Sequence, residues 1–304
     1  MAPPLPEGMG NDALGNICRV LNCSADDIRF TDRLSGGLTN KTWVFELGGA
    51  RYTYRQPGVG TEEITNRKFE AISQEIAARL GIDKTFIFED PQVGWKISHY
   101  VECDEPFSCH NEAHLQQAME LLRTLHGSGA QIDFFKDMHE DTLKQIALLK
   151  PEFRNRYDNF EELFALAEHY NEIVKADGLA PVLCHNDFYD PNFLIHDGTM
   201  DLIDWEYAGM SDYASDLAVF ICCSDYTYEE ALHALEAYFQ RPLTTAELIH
   251  CVAYIQVISF HWLVWALYMA QTGEPVGPLE GIYHNFASEY AQHAQALIEE
   301  ANAQ

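Results

Sequence analysis

The sequence predicts an α+β protein with a small antiparallel-sheet lobe at the N-terminus and a larger, mostly helical lobe after it. Short β-rich segments and one clear amphipathic helix occupy the first hundred residues, whereas helical periodicity dominates from about residue 111. The 304 residues are long enough for two lobes, each with a core of its own. We therefore expect an N-terminal domain over 1–98 and a C-terminal domain over 99–304, with a ligand cleft between them.

The N-terminal domain is expected to contain helices and strands in alternation. Apolar residues on one face predict a short helix over 11–23, and a second apolar face predicts a longer helix over 62–80 that ends at Gly81. The turn Gly48-Gly49 is a favourable hairpin connection between the first two predicted strands. The strands are expected over 42–49, 50–58, 85–89 and 95–101.

The C-terminal domain is expected to be built from six helices and a few short strands. The apolar stretch 251–270 contains Gln256, Ser259 and His261 and lacks basic flanks, so we interpret it as part of a buried helix rather than a membrane span. The helices are expected over 112–126, 141–150, 158–176, 228–240, 244–270 and 281–301.

Composition excludes some classes of function. The net charge is −28, from 19 basic and 47 acidic residues, and such a surface repels a nucleic-acid backbone. The eight cysteines form no C-x-x-C pair, which predicts free thiols in a reducing compartment and argues against a zinc site. The Pro/Gly-rich residues 1–10 predict a disordered terminus and not a signal peptide. We therefore expect a cytoplasmic protein.

Polar residues between short apolar runs form the most informative motif. Asp187 and Asn192 lie in HNDFYDPN, and Asp204 and Glu206 follow in IDWE. Carboxylates that converge in a small space repel each other unless a cation lies between them. Oxygen ligands of this kind suit Mg²⁺. The alternative is that Asp187 and Asn192 merely form a turn, as such residues often do, but the joint pattern favours a metal-dependent site.

The pair HNDFYDPN and IDWE resembles the phosphotransferase signature of aminoglycoside phosphotransferases and choline/ethanolamine kinases, which share a bilobal protein-kinase-like fold. The resemblance implies that Asp187 orients the acceptor hydroxyl and takes its proton. It also implies that Asn192 and Asp204 hold Mg²⁺ on the phosphates of ATP. Glu206 would be a second-metal or acceptor-site carboxylate, and His185 would support the loop.

Other segments resemble the ATP-binding parts of choline kinases. Arg55 lies where protein kinases carry a lysine, and its guanidinium can bind two phosphate oxygens. An acidic residue on the predicted helix 62–80 should pair with it, and Glu70 fits better by position than its rival Glu75. The glycine-containing loop that resembles the nucleotide loop comprises Ser35, Gly36, Gly37, Leu38, Thr39 and Asn40. The backbone expected to meet adenine comprises His99, Tyr100 and Val101.

Aromatic pairs near the C-terminus suggest the acceptor. Trp262 and Trp265 share a helix face, and Tyr283 and Phe286 repeat the spacing, a pattern that resembles the choline pocket of choline kinases. Aromatic walls bind quaternary ammonium groups, although ordinary core packing is the alternative. Cys223 stands where the resemblance leads us to expect an acidic residue. The residues expected to contact the acceptor are Asp187, Glu206, Tyr207, Trp262, Trp265, Tyr283 and Phe286.

The resemblance extends from about residue 30 to 290 and favours the bacterial type of choline kinase. It predicts an ATP- and Mg²⁺-dependent enzyme that phosphorylates choline, a small-molecule substrate, with no nucleic acid and no membrane span. The first alternative is an ethanolamine kinase, or an aminoglycoside or other small-alcohol phosphotransferase. A catalytically inactive ligand-binding protein is the second alternative, and the presence of Arg55, Asp187, Asn192 and Asp204 together argues against it.

Overall fold

A computed structural model describes residues 3–34, 40–58 and 66–303. It divides the chain into two compact units: the residues up to 107 together with 193–208, and residues 108–192 together with the chain from 209 onwards. The first unit contains a five-stranded antiparallel sheet and the second is mostly helical. The predicted α+β fold class is thereby confirmed.

The strands of the first unit's sheet are β1 (Arg29–Leu34), β2 (Lys41–Leu47), β3 (Ala50–Gln56), β4 (Phe86–Glu89) and β5 (Lys96–His99). Their order in the sheet is β1-β2-β3-β5-β4. Gly48 and Gly49 both have positive φ angles, 61° and 84°, as a two-residue hairpin turn requires, so β2 and β3 pair in register. β1 was not predicted, because nearly all its side chains are exposed and give no alternating pattern.

Two helices belong to the first unit, α1 (Ala13–Leu21) and α2 (Arg67–Leu80). α2 ends at Gly81, whose φ of 73° is the left-handed cap that glycine adopts without a steric penalty. Residues 62–65 of the predicted helix lie outside the described residues. The core beneath the sheet brings together large buried side chains that include Ile17, Trp43, Phe45 and Ile97.

A second hairpin, β7 (Phe193–His196) and β8 (Thr199–Leu202), also belongs to the first unit. The backbone N–H of Asp104 donates to the carbonyl of Ile195 at 2.8 Å, and that of Leu202 donates to Ile82 at 3.0 Å. These bonds explain why 193–208 groups with the N-terminal residues, whereas the predicted division placed all of 99–304 in one domain.

The second unit is built around a long central helix. Its first predicted helix, 112–126, has the same bounds in the structure. One helix, over 214–223, was not predicted from periodicity, because it is buried on all sides and so has no polar face. The helices are α3 (Glu112–His126), α4 (Met138–Leu148), α5 (Pro151–Arg154), α6 (Phe160–Ala176), α7 (Ala214–Cys223), α8 (Tyr228–Phe239), α9 (Thr245–Thr272) and α10 (Leu279–Ala303); the strands β6 (Val182–Cys184) and β9 (Gly209–Ser211) pair with each other.

The central helix α9 is long and apolar enough to cross a membrane by length and composition. In its most apolar window the mean hydropathy is 1.5, and 83% of that window is buried inside the protein. A capping box between Thr244 and Glu247 begins the helix, and Gly273 ends it in the left-handed conformation. Burial on this scale is typical of a core helix, the role that the polar residues within the stretch predicted.

At the start of α9, the imidazole of His250 lies between two carboxylates. Its Nδ1 is 2.7 Å from Asp177 and its Nε2 is 3.1 Å from Asp212. Burial lowers the pKa of His250, but the hydrogen bonds and charges of Asp212 and Asp177 outweigh it and raise the pKa above the ordinary value of 6.5. The protonated imidazole therefore stabilises the folded state.

We expect that stabilisation to be fully present below pH 6.5 and to be lost as the pH rises through the raised pKa of His250. The free energy of unfolding, measured in urea from mildly acidic to mildly alkaline pH, should therefore fall more steeply with pH for the wild type than for His250→Gln. The exposed His169→Gln variant should keep the wild-type slope. Equal slopes for wild type and His250→Gln would contradict the assignment.

Candidate active site

The loop between β6 and β7 is held by one buried acid. One carboxylate oxygen of Asp216 accepts the backbone N–H of His185 at 2.9 Å and the other accepts that of Asn186 at 2.5 Å. Asn186 has a φ of 61°, a left-handed conformation that turns the chain sharply before Asp187. The backbone just before Asp187 is therefore fixed by two charge-assisted hydrogen bonds.

Asp216 is itself anchored by its surroundings. The Nε2 atom of His126 lies 3.0 Å from its carboxylate, and the hydroxyl of the neighbouring Ser215 donates to the side-chain oxygen of Asn186 at 2.8 Å. Sequence reasoning missed this anchor. The available signal was the acid itself, because a carboxylate inside the apolar run ASDLAVF must have partners if it is buried.

The carboxylate of Asp187 is oriented by Asn192. The amide nitrogen of Asn192 donates to the backbone carbonyl of Asp187 at 2.7 Å and to its carboxylate at 2.8 Å. Asn192 is buried, whereas Asp187 is half-buried and retains access to solvent. The imidazole of His185 accepts the N–H of Asp187 at 3.3 Å, so this histidine supports the loop, as expected. The geometry suits a general base that is held in one orientation but remains reachable.

We expect Asp216→Asn to lower kcat by about 10²-fold, since a small displacement of a catalytic group has effects of this size. The amide can accept only one of the two N–H donors with an oxygen, so the loop should lose its fixed conformation. Steady-state kinetics and circular dichroism of the variant test this. Asp225→Asn, an exposed acid just beyond α7, is the matched control and should keep normal turnover. Normal kcat for folded Asp216→Asn would contradict the anchoring role.

Arg55, on β3 of the first unit, is buried and paired with two acids. Its guanidinium forms ion pairs with Glu70 of α2 and with Asp204, the latter at 2.6 Å. Burial lowers the pKa of Arg55, but the charges of Glu70 and Asp204 hold it above its ordinary value. The rival Glu75 is exposed on the same helix. Of the two predicted partners, the structure therefore pairs Glu70 with Arg55.

Glu70 is the centre of a larger buried ionic network. Arg67 donates to it at 2.8 Å and the ammonium of Lys96 lies 3.6 Å away. Although burial alone would raise the pKa of Glu70, the charges of Arg55, Lys96 and Arg67 lower it to about 2. Glu89 lies 3.9 Å from Lys96, and its pKa shifts in the opposite direction: burial raises it to about 8. The network therefore holds the Arg55 guanidinium in place through Glu70. Only the pairing of Arg55 with Glu70 was predicted from the sequence.

Asp204 and Glu206 lie in the short connection between β8 and β9. Asp204 has a φ of 67°, and the fully buried Trp205 between them donates its indole N–H to the carbonyl of Leu202 at 3.1 Å. Burial, and then the charge of Asp204, raise the pKa of Glu206 to about 7. Asn40 lies 3.5 Å from Glu206. A carboxylate whose ionisation is disfavoured by a neighbouring acid fits a site for a divalent cation with oxygen ligands.

The remaining predicted nucleotide contacts are only partly described. Ser35, Gly36, Gly37, Leu38 and Thr39 lie outside the described residues. The backbone N–H of His99 donates to Thr85 at 2.8 Å and that of Tyr100 to Arg51 at 3.0 Å. If these residues meet adenine, they must do so through their carbonyls or side chains, or through Val101, and the contact stays a prediction.

The aromatic residues expected at the acceptor pocket are brought together in part. The rings of Trp262 and Trp265 meet edge to face with centroids 5.4 Å apart, and the ring of Tyr283 lies 6.2 Å from that of Trp262. Trp265 is partly exposed, whereas the other two are buried. Phe286 stacks on Tyr290 at 5.4 Å within the core. α9 and α10 therefore present two indoles and a phenol as one cluster.

The predicted metal ligands and the predicted acceptor contacts each include residues from both units. Asp187, Asn192 and the aromatic cluster belong to the second unit, whereas Asp204, Glu206 and Tyr207 belong to the first. The joint use of Asn192, Asp204 and Glu206 by one metal ion therefore stays a prediction.

Comparison with protein families gives a match over most of the chain. The model of the phosphotransferase enzyme family matches residues 31–268. The curated protein LicA of Haemophilus influenzae is 26% identical over 253 residues, which is 80% of this chain and 74% of that protein.

Solved structures share the fold. Choline kinase LicA from Streptococcus pneumoniae has a TM-score of 0.75 at 23% identity, covering 92% of this chain and 97% of that chain. A choline/ethanolamine kinase family protein from Mesorhizobium loti has a TM-score of 0.70 at 25% identity, covering 95% and 94%. A LicA structure in complex with AMP has a TM-score of 0.74 at 22% identity, covering 95% and 100%. The last of these three structures contains the nucleotide AMP.

Proposed function

Since the chain belongs to the phosphotransferase enzyme family, we propose that it is an ATP- and Mg²⁺-dependent kinase that transfers the γ-phosphoryl group of ATP to the hydroxyl of choline. The observation that carries the acceptor is the cluster of Trp262, Trp265 and Tyr283 in the same unit as Asp187. The likeness to LicA, a choline kinase in Streptococcus pneumoniae, supports the same acceptor.

Asp187 is the group that would act on the acceptor hydroxyl. Its carboxylate would accept a hydrogen bond from the hydroxyl and take the proton as the new oxygen–phosphorus bond forms and the bond to the leaving ADP breaks. The amide of Asn192 keeps that carboxylate oriented through a 2.8 Å hydrogen bond. The two hydrogen bonds that the backbone N–H groups of His185 and Asn186 donate to Asp216 hold the loop in place just before Asp187. The loop therefore does the positioning, and Asp187 does the proton transfer.

Arg55 would bind the phosphates of ATP. The guanidinium is permanently charged and held by Glu70, and phosphate oxygens would replace the carboxylate of Asp204 that now lies 2.6 Å from it. Asn192, Asp204 and Glu206 would hold Mg²⁺, which would supply neutralisation of the charge on the phosphates. Because the amide nitrogen of Asn192 points at Asp187, its amide oxygen is the atom suited to a metal.

The aromatic cluster suits a trimethylammonium group. Each well-placed aromatic face contributes about 0.5–2 kcal/mol to binding such a cation in a desolvated pocket. A quaternary nitrogen has no N–H and needs no hydrogen-bond acceptor. Ethanolamine, whose primary ammonium carries three N–H groups, would leave them without strong partners among indole and phenol rings. The cluster therefore favours choline over ethanolamine.

A coupled assay of ADP release, with choline, ethanolamine and an aminoglycoside as acceptors, tests the proposal. We expect Mg²⁺-dependent turnover with the highest kcat/KM for choline. Turnover of ethanolamine without choline would contradict the acceptor, and binding of choline without any ADP release, unchanged by Asp187→Asn, would indicate a ligand-binding protein instead.

Trp265→Leu should raise the KM for choline about 2- to 30-fold, the effect of losing one aromatic face, while the KM for ATP stays the same. Trp265 is the suitable position because it is partly exposed, so the fold should tolerate the change. Trp265→Phe keeps an aromatic face and should recover most of the affinity for choline. If Leu and Phe had the same effect, the cation–π contribution would be excluded at this position.

A further inference from the structure

Two adjacent cysteines end α7, and they face different surroundings. Cys222 is completely buried, whereas Cys223 is partly exposed. Successive residues of a helix point about 100° apart, since one turn contains about 3.6 residues. The thiol of Cys223 lies 3.8 Å from the hydroxyl of Tyr283 on α10. Cys222 is therefore a core residue, while Cys223 faces the aromatic cluster.

Cys223 also experiences the charge of the loop that carries Asp187. Burial raises the pKa of its thiol well above the ordinary value, and the carboxylate of Asp187 is among the charges that raise it further. The pKa of Tyr283 is raised as well, by burial first, then by Cys223 and Cys222, with a smaller contribution from Tyr189 of the loop. The thiol–phenol pair thus adjoins the Trp262 ring, which lies 6.2 Å from that of Tyr283, and is within range of the charge of Asp187.

The pair is neutral and a poor partner for an N–H group. A thiol is a weak hydrogen-bond acceptor, and the hydroxyl of Tyr283 is already engaged with it. Sulfur is, however, polarisable and packs well against methyl groups and aromatic rings. A primary ammonium at this position would lose its hydrogen bonds to water and gain only weak ones, whereas a trimethylammonium group has none to lose.

We propose that Cys223, paired with the hydroxyl of Tyr283, is a specificity-determining residue that makes the acceptor pocket select an amino alcohol whose nitrogen is fully alkylated. This inference rests on the proposed function and adds the residue that excludes the primary amine. The aromatic rings supply the attraction for a cation, and the neutral thiol denies the N–H groups an acceptor.

Cys223→Asp and Cys223→Asn test the proposal directly. Both side chains are close in size to cysteine and add strong acceptors, one charged and one neutral. We expect the ratio of kcat/KM for choline to that for ethanolamine to fall at least about tenfold in both, through improved use of ethanolamine. Cys103→Asp, which adds the same acid at an exposed cysteine outside the aromatic cluster, is the control and should keep the wild-type ratio.

The outcomes separate the inference from the proposed function. Suppose that the wild type turns over choline, and that Cys223→Asp and Cys223→Asn fold, are active and keep the wild-type ratio of kcat/KM for choline to that for ethanolamine. This result overturns the role of Cys223 and leaves the proposed function standing. A wild type that prefers ethanolamine, or turns over neither amine, overturns the proposed acceptor and the inference with it.

A measurement on the wild type covers the case in which the variants do not fold. A thiol-reactive methanethiosulfonate should modify Cys223 slowly, as followed by mass spectrometry of its peptide, and saturating choline should protect it. Exposed Cys103 serves as the internal control and should react at the same rate with and without choline. The place of Cys223 in the pocket would be overturned if choline did not slow its modification. It would also be overturned if Cys223 did not react at all in the free enzyme.

Discussion

Asp187→Asn is expected to lower kcat with choline by about 10²- to 10⁴-fold, the range that loss of a general base produces. The substitution keeps the size of the side chain and leaves an oxygen that can still accept the amide of Asn192. The loop should therefore keep its conformation, and the KM for ATP should change little. The missing property is the capacity to take the proton of the acceptor hydroxyl.

Asp190→Asn is the matched control, because Asp190 is an exposed acid only three residues along the same loop. It loses the same charge from the same neighbourhood and should retain normal kcat. Near-normal turnover by Asp187→Asn would contradict a base at residue 187. An equal loss in both variants would show that general charge near the loop matters instead.

Glu70→Gln is expected to destabilise the protein by about 3–5 kcal/mol, the effect of removing one partner from a buried ionic group. The side chain of Glu70 is fully buried, and Arg55, Arg67 and Lys96 all lie against it. A neutral amide would leave three buried cations with less negative charge than they need. The loss should appear as a lower urea midpoint.

Glu75→Gln gives the comparison on the same helix, because Glu75 is exposed and should change the free energy of unfolding little. The KM for ATP should also rise in Glu70→Gln, since Arg55 would lose the anchor that holds its guanidinium. Stability and ATP use equal to those of Glu75→Gln would contradict the network.

The sequence predicts elements well where burial is one-sided. α2 ends at the predicted Gly81, and α3 has its predicted bounds, because both helices alternate a buried and an exposed face. α7 gives no such signal because it is buried all round, and β1 gives none because it is almost entirely exposed. Periodicity detects contrast between faces, and neither element has any.

The candidate site, like the fold, could be predicted only in part from the sequence. The sequence identifies the motif residues, because polar groups between apolar strands are unusual unless they have a structural or functional role. These residues are Asp187, Asn192, Asp204 and Glu206. Asp216 gives a similar signal inside the apolar run ASDLAVF, but its role could not be predicted, because the backbone N–H groups it binds come near it only through tertiary folding. The contact between a thiol and a phenol, at Cys223 and Tyr283, joins residues 60 positions apart and likewise has no local pattern.

The most direct test of the central proposal is a competition followed by ³¹P NMR, with equal concentrations of choline and ethanolamine, ATP and Mg²⁺. We predict that phosphocholine is the main product of the wild type and that Asp187→Asn forms almost none in the same time. Phosphoethanolamine as the main product, or release of inorganic phosphate with neither ester, would contradict it.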